Sequence, residues 1–186
     1  MNRRRFIFSL ISVSAWANVG FAAQSGGKTP LAKRAIEQFF ALLKTQQYAK
    51  LYDLLPGSLQ QQLTREQLTA SLQRLDNFLV IEKLQVGRVQ EKGDYAVVDT
   101  TIYGRLKQPM NMQGQEIREG RVSAQQYLFK ENGQWKVVTA DDRTRAFFLK
   151  RNPEFNQQFQ LTRAQFAFKQ NGQWQSFNPR GALPRQ

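Results

Sequence analysis

The stretch Tyr127-Leu-Phe-Lys-Glu-Asn-Gly-Gln-Trp-Lys-Val-Val138 predicts a β-hairpin. Residues with strand propensity flank Asn132-Gly133, and this dipeptide is the strongest short signal for a two-residue hairpin turn. Such a turn places Lys130 directly opposite Trp135. The lysine stem can then cross the indole face and form a cation–π pair.

A second copy of this pattern lies further along the chain. The shared core Phe-Lys-x-Asn-Gly-Gln-Trp recurs between Phe166 and Phe177 and predicts another hairpin over Ala164–Phe177, with Lys169 opposite Trp174. The two copies could form a repeated ligand-binding element, but a solenoid needs at least about three repeats. Convergent hairpin chemistry is the simpler interpretation.

Strand propensity extends upstream of the first hairpin. β-branched and apolar residues predict strands over Phe78–Val89, Tyr95–Leu106, Arg121–Lys130 and Gln134–Thr139. The polar segment Lys107–Gly120 is predicted to be a loop or hairpin end.

The pattern before these strands is helical. Thr29-Pro30 predicts a helix start with proline at the first helical position, and apolar residues at helical spacing continue to about Thr45. Two shorter helical patterns cover Tyr48–Leu55 and Ser58–Leu63. Thr64 and Gln67 then form a capping box that opens a further helix.

A helical pattern returns after Asp141-Asp142. It runs to Leu149, is interrupted at Asn152-Pro153, and continues with Phe155 and Phe159 at i, i+4 spacing.

The N-terminus predicts a cleavable export signal over residues 1–22. Arg3, Arg4 and Arg5 precede an apolar stretch from Phe6 to about Ala17, which is short for a bilayer span of ~20 residues. Gly20 and Ala22 fit the small-residue positions that signal peptidase requires, so we expect cleavage after Ala22. Ala15-Trp16-Ala17 offers an earlier site, after Ala17, but leaves a very short apolar stretch.

Two export routes fit this signal. The pattern Arg3-Arg4-Arg5-Phe6-Ile7 resembles a twin-arginine signal, whereas three arginines are also ordinary in general secretory signals. An uncleaved anchor is a third interpretation. The expected location is outside a bacterial cytoplasm, in the periplasm, the thylakoid lumen or the extracellular space.

Composition excludes several kinds of chemistry. The 186 residues contain neither cysteine nor histidine, so disulfides, cysteine nucleophiles and thiolate metal sites are excluded. The commonest metal ligand and the usual general base near neutral pH are also missing. We therefore expect no metal and no cofactor.

The charge balance is strongly basic. Lysine and arginine number 27 against 14 acidic residues, a net charge of +13. This favours anionic partners such as phospholipid head groups, acidic glycans, acidic proteins or nucleic acid, although it is equally a solubility device.

The order of elements resembles the NTF2-like (cystatin-like) superfamily. The residues that carry the resemblance are the Phe39-Phe40 helix, the short second helix ending at Pro56, and the Tyr127–Val138 hairpin. The resemblance implies an α+β fold in which N-terminal helices pack on a curved antiparallel sheet around a cone-shaped pocket. The segment after Asp141 would add a C-terminal helix and β-hairpin.

This interpretation divides the chain into five parts. They are the signal (1–22), a flexible lead-in (23–29), the NTF2-like α+β domain (30–140), a C-terminal helix–hairpin extension (141–178) and a loose tail (179–186).

The resemblance also suggests site residues. A cone pocket would be lined by Phe39, Phe40, Tyr127 and Trp135. Isomerase relatives use an aspartate base and a tyrosine, and Asp99 and Tyr103 lie four apart on one strand face. A strand aspartate on a wet face is the simpler account of Asp99.

Three functions compete at this point. The first is an exported, non-catalytic binding or assembly module of the cell envelope that binds a partner protein or a small apolar or anionic ligand, with a homodimer through the open sheet face compatible. The second is a small cofactor-independent isomerase or lyase with a carboxylate in its pocket. The third is a basic protein attached to anionic lipid or glycan through Arg143, Arg145, Lys150 and Arg151. Nucleic acid is not an expected partner of an exported protein.

Overall fold

The computed structural model describes residues 30–112, 115–139 and 142–177. In this part of the chain, four helices lead into four strands, and two helices and two strands follow. They are α1 (Leu31–Lys44), α2 (Tyr48–Tyr52), α3 (Gly57–Gln60), α4 (Arg65–Phe78), β1 (Leu79–Lys92), β2 (Tyr95–Met112), β3 (Gln115–Glu131), β4 (Gln134–Val138), α5 (Asp142–Arg151), α6 (Pro153–Gln158), β5 (Gln165–Gln170) and β6 (Gln173–Phe177). The predicted α+β class and the capping box at Thr64 are confirmed.

Both Asn-Gly turns have the predicted geometry. Asn132 and Gly133 take φ values of 50° and 76°, and Asn171 and Gly172 take 49° and 79°. Positive φ at both central residues defines the primed turn that matches strand twist. The first hairpin forms the expected cation–π pair, with Lys130 Nζ 4.9 Å from the Trp135 ring centroid.

The second hairpin differs in its side-chain partners. Lys169 does pair across the strands with Trp174, but its ammonium lies 3.0 Å from the Glu119 carboxylate on β3. The Arg121 guanidinium lies over the Trp174 ring instead, at 4.8 Å. The expectation that Lys169 would cover Trp174 was therefore wrong, because a charged partner on the neighbouring strand attracts it.

Strand β3 organises the antiparallel sheet. The strand order is β1-β2-β3-β5-β6, and β4 also pairs with β3. Both β4 and β5 lie on the same edge of β3, β4 along residues 127–131 and β5 along residues 120–123. The predicted C-terminal hairpin thus belongs to the same sheet.

Gln125 fills the space between β4 and β5. Its side-chain oxygen accepts a hydrogen bond from the Thr162 amide at 2.8 Å, and its amide donates to the Gln160 carbonyl at 3.4 Å. Its backbone carbonyl accepts from Arg145. This side chain therefore ties the segment before β5 to the sheet.

The sheet has two faces, which we name after the helices that cover them. Side chains alternate along a strand, so Ala96, Val98 and Leu128 point to the α1 face, where they pack against buried residues of α1. Tyr95 and Tyr127 point to the opposite face, the α6 face. Phe155 of α6 contacts both rings there, with centroids 5.5 Å and 5.1 Å away.

Helices α2 to α4 close the outer edge of β4. The Val137 amide donates to the Leu54 carbonyl at 2.7 Å, and Lys136 Nζ donates to the Asp53 carbonyl at 2.8 Å. These helices and the turn between α2 and α3 also supply a buried leucine cluster, made of Leu51, Leu55, Leu59 and Leu68.

The predicted element boundaries changed at two places. Of the loop or hairpin end predicted over residues 107–120, it is the hairpin end that forms, because β2 runs to Met112 and β3 begins at Gln115. Pairing shifts between Arg105 and Met110, a bulge that accommodates Pro109, which has no N–H for the ladder. Helix α1 begins at Leu31 with Pro30 at its N-cap, whereas Thr29 lies outside the described residues.

A pair of facing glycines provides a test of the sheet packing. Gly104 on β2 lies opposite Gly120 on β3. A Cβ at Gly104 would stand 2.7 Å from Leu79 Cδ1 and 3.0 Å from the Val80 carbonyl oxygen, whereas one at Gly120 would meet only the Ala167 carbonyl, at 3.7 Å. We expect Gly104→Ala to lower the free energy of unfolding by about 1–3 kcal/mol. Gly120→Ala is the matched control with little effect. Equal urea midpoints for the two variants would contradict this packing.

A second prediction concerns the contact that holds α6 on the sheet. The Tyr95 hydroxyl donates to the Glu154 carboxylate, and burial together with this bond raises the pKa of Tyr95 to about 12, while the bond lowers the pKa of Glu154. The unfolded chain releases the Tyr95 proton near pH 10, before the folded chain does, so stability falls as pH rises from about 10 to 12.

We expect Tyr95→Phe to reduce this alkaline loss of stability, measured by urea unfolding at pH 9, 10 and 11. Part of the loss should remain, because burial also raises the pKa values of Tyr48 and Tyr127. An unchanged loss between pH 10 and 11 in Tyr95→Phe would show that Tyr95 does not contribute to it.

Candidate functional site

A row of apolar side chains runs across the α1 face and extends past the area that helix α1 covers. Strand register places five residues side by side on five strands: Leu84, Ile102, Val122, Phe166 and Phe177. All five are partly exposed. Leu84 and Ile102 touch the α1 cluster, and the row then continues onto β3, β5 and β6.

The C-terminal hairpin supplies the aromatic end of this row. Phe166 and Phe168 alternate with Ala167, so both rings point to the α1 face, and Phe168 meets Phe177 with ring centroids 6.1 Å apart. The sequence predicted the hairpin but not the row. The alternation Phe166-x-Phe168 was the available signal, but it does not say which strand β5 pairs with.

The polar groups beside the row are satisfied internally. Thr100 and Gln126 are buried on the same face. The Gln126 amide donates to Thr100 Oγ1 at 2.9 Å, and the Thr100 hydroxyl donates to the Ala124 carbonyl at 3.0 Å. These buried polar side chains are therefore hydrogen-bonded within the protein, and they do not make the apolar surface more polar.

A small cleft opens where α1, α4 and β1 meet. It holds a volume of about 110 Å³ and is lined by apolar residues that include Leu43, Leu72 and Ile81. Asp76 lies at its mouth, accepting from Gln46 at 2.8 Å and lying 3.4 Å from Lys107 Nζ. Burial and the Asp76 charge raise the pKa of Tyr48, which also lines the cleft.

The structure does not bring the four predicted pocket residues together. Phe40 and Trp135 are buried in the α1-face cluster and Phe39 packs against it, but Tyr127 points to the α6 face, where it contacts Phe155. The expectation that all four line one pocket was wrong, because the side chains of Tyr127 and Trp135 point to opposite faces of the sheet. Tyr127 pairs with Val138, and Trp135 lies three residues before Val138 on β4. In the described part of the chain, the buried Trp135 indole N–H has no hydrogen-bond partner.

Asp99 and Tyr103 share the α6 face, as their spacing on β2 requires, but they do not form one site. Asp99 Oδ2 lies 3.6 Å from Arg88 Nε and its side chain is 38% exposed. It borders an open depression of about 430 Å³ that Tyr103 does not line. The Tyr103 hydroxyl donates to Gln85 Oε1 at 2.8 Å. This arrangement lacks the buried carboxylate that a carboxylate isomerase needs.

The four basic residues of α5 separate into two groups. Arg143, Lys150 and Arg151 are exposed. Arg145 points inward, with its guanidinium 4.5 Å from the Tyr127 ring centroid and a hydrogen bond to the Gln125 carbonyl. The expectation that Arg145 contacts an anionic surface was therefore wrong, because two residues along a helix turn the side chain to the other side.

Some predicted features lie outside the part of the chain that the structure describes, and two others were searched for within it. The export-signal residues Arg3, Arg4, Phe6 and Ala22 and the tail 179–186 lie outside them. Among residues 30–112, 115–139 and 142–177, no cluster of three acidic side chains is placed to hold a metal ion. No helix in the same ranges is both long and apolar enough to span a bilayer.

Comparison with known proteins identifies the family. No curated protein matches the chain. A crystal structure from Xanthomonas campestris, described as a candidate calcium/calmodulin dependent protein kinase II association domain, is similar with 18% identity and a TM-score of 0.38, covering 62% of this chain and 86% of that one. Residues 31–139, more than half of the chain, match the family described as the NTF2-like N-terminal transpeptidase domain. The predicted NTF2-like resemblance is thus confirmed, and the chain belongs to this family of NTF2-like domains.

Proposed function

We propose that this protein is an exported, non-catalytic binding module of the cell envelope that binds a partner protein on its α1 face. The observation that carries the proposal is the apolar row of Leu84, Ile102, Val122, Phe166 and Phe177, which stays partly exposed across five strands. Contiguous exposed apolar surface on a soluble domain typically marks an interaction site.

The shape of the site favours a protein over a small molecule. Small-molecule pockets typically enclose roughly 300–1,000 Å³. The cleft beside α4 holds only about 110 Å³, and the larger depression of about 430 Å³ beside Asp99 is open and does not enclose a ligand. The row itself is a surface that a helix or strand of a partner can lie along. A second copy of this chain is one such partner.

The proposed site includes a curved sheet, as the family resemblance implies. Register shifts interrupt β1–β2 pairing between Ile81 and Lys83 and between Val86 and Val89, and another interrupts β2–β3 pairing after Arg105. Bulges of this kind bend strands and increase their twist. Their positions around the row support a concave α1 face.

The proposed export of the protein rests on its first 22 residues. An arginine cluster, a short apolar stretch and small residues at positions 20 and 22 are the parts of a secretory signal. We expect the exported protein to begin at Ala23, measured by mass spectrometry of the intact mature chain. Ala22→Leu should block this cleavage, whereas Ala17→Val should leave it unchanged. A mature chain beginning at Asn18 would contradict the proposed site.

One measurement distinguishes the two export routes. Replacing both Arg3 and Arg4 by lysine should stop export if the route is twin-arginine, because that route recognises the arginine pair. Unimpaired export of the Arg3→Lys, Arg4→Lys variant would assign the general secretory route.

Neighbouring residues on β5 and β6 provide a matched test of the binding face. A photoreactive phenylalanine analogue at Phe166 or Phe177 should give a discrete cross-linked product in intact cells. The same analogue at Gln165 or Ser176 points to the α6 face and should not. A product of twice the chain mass would identify a homodimer. Products of equal yield from both faces, or from neither, would contradict the proposal.

A further inference from the structure

The α4–β1 corner, together with the adjoining segment of β2, carries four of the five large apolar side chains that are exposed in the described part of the chain. Four large apolar side chains there are exposed: Leu75 by 43%, Phe78 by 70%, Val80 by 40% and Met110 by 52%. Leu31, the fifth exposed apolar side chain among the described residues, lies at the far end of α1.

The chain geometry leaves Phe78 exposed at this corner, and Leu75 and Val80 also line the cleft between α1, α4 and β1. Leu75 and Phe78 are three apart on the last turn of α4 and therefore share a helix side. Strand β1 begins at the next residue, so no loop covers Phe78. Val80 pairs with Arg105, and Met110 lies on β2 beyond that pair, five residues further on.

Cations surround the corner. Lys44, Arg74, Arg105 and Lys107 are all exposed. Four carboxylates lie among them, those of Asp76, Glu82, Glu116 and Glu119. Each carboxylate already has a cation: Lys107 lies 3.4 Å from Asp76, Arg105 lies 2.8 Å from Glu82, and Arg118 and Lys169 pair with Glu116 and Glu119. Lys44 Nζ donates to the backbone carbonyl of Glu82 at 3.0 Å, so its charge is not neutralised by a carboxylate in that bond.

We propose that the α4–β1 corner, Leu75, Phe78, Val80 and Met110, is a membrane-contact site for a bilayer rich in anionic phospholipid. The apolar side chains enter the boundary between head groups and acyl chains, and the surrounding cations meet lipid phosphates. Lysine and arginine suit this position because their apolar stems can follow the protein while their charges stay at the head groups.

A protein partner fits this corner less well. Protein interfaces also have an apolar centre and a polar rim, but here the rim carries an excess of cations, Lys44 and Arg74, that an anionic lipid surface neutralises. The inference is independent of the α1-face row, because the corner and the row share no residue. It also differs from attachment through α5, whose exposed side carries Arg143, Lys150 and Arg151.

The test is co-sedimentation with vesicles of phosphatidylcholine and phosphatidylglycerol in equal parts, at low and high salt. All variants carry the N-terminus found on the exported protein, and circular dichroism confirms their folding. We expect Phe78→Ser to lower the partition coefficient by about tenfold. A change of this size corresponds to less free energy than full burial of a phenylalanine side chain contributes. Leu31→Ser, which removes another exposed apolar residue far from this corner, should change it less than about twofold.

The charge contribution has its own matched pair. Arg74→Gln should lower binding about fivefold at low salt, since one cation near an anionic surface contributes roughly that much, and less at high salt because of screening. Arg143→Gln on α5 should have little effect. Binding lost with Arg143→Gln but retained with Phe78→Ser would assign attachment to α5 and overturn the proposal.

Fluorescence gives a second readout of insertion. Phe78→Trp should shift its emission to the blue and be quenched by brominated lipid when vesicles are added, whereas Leu31→Trp should not. An unchanged Phe78→Trp spectrum, or wild-type protein that ignores anionic vesicles, would also overturn the proposal. Neither result bears on cross-linking from the α1 face, so the two proposals fail separately.

Discussion

Burial of the central sheet on both faces is the constraint on which this structure depends. Val97 and Val98 are neighbours on β2 whose side chains point to opposite faces, and both are fully buried. An antiparallel sheet with one wet face needs helices on one side only. Here α1 covers one face. The other face is covered by α6 together with α5 and the leucine cluster of the α2–α4 segment. Without this cover, valine, leucine and aromatic side chains of the sheet would lie in water.

The coverage is incomplete, and the proposed activities lie where it ends. β5 and β6 extend the sheet past the reach of α1, and their phenylalanines continue the apolar surface that the helix buries elsewhere. At the other end, α4 turns directly into β1 and leaves Phe78 outside the core. Both surfaces would cost solubility if they had no partner. The net charge of +13, or +10 once the proposed signal with its three arginines is removed, offsets that cost.

The two Asn-Gly hairpins show which features depend on residues nearby in the chain and which depend on the tertiary structure. Their turns and cross-strand pairings follow the sequence closely, because positive φ at Asn and Gly depends only on those residues. Their tryptophans do not behave alike. Trp135 has Lys130 over its ring, whereas Trp174 has Arg121 from a strand more than 50 residues away. Arg145 shows the same limit, since its inward direction depends on how α5 docks against β3.

The sequence alone determined the class of fold, the order of its helices and strands, both hairpin turns and the capping box, because these depend on residues close together in the chain. It also determined which chemistries are excluded, since no histidine or cysteine is present. Only the tertiary structure decided that β5 pairs with the free half of β3, which lines up Val122, Phe166 and Phe177. It likewise separated Tyr127 from Trp135 on opposite faces and left Phe78 exposed. Strand partners distant in sequence are chosen by packing of the whole sheet, and no local pattern encodes that choice.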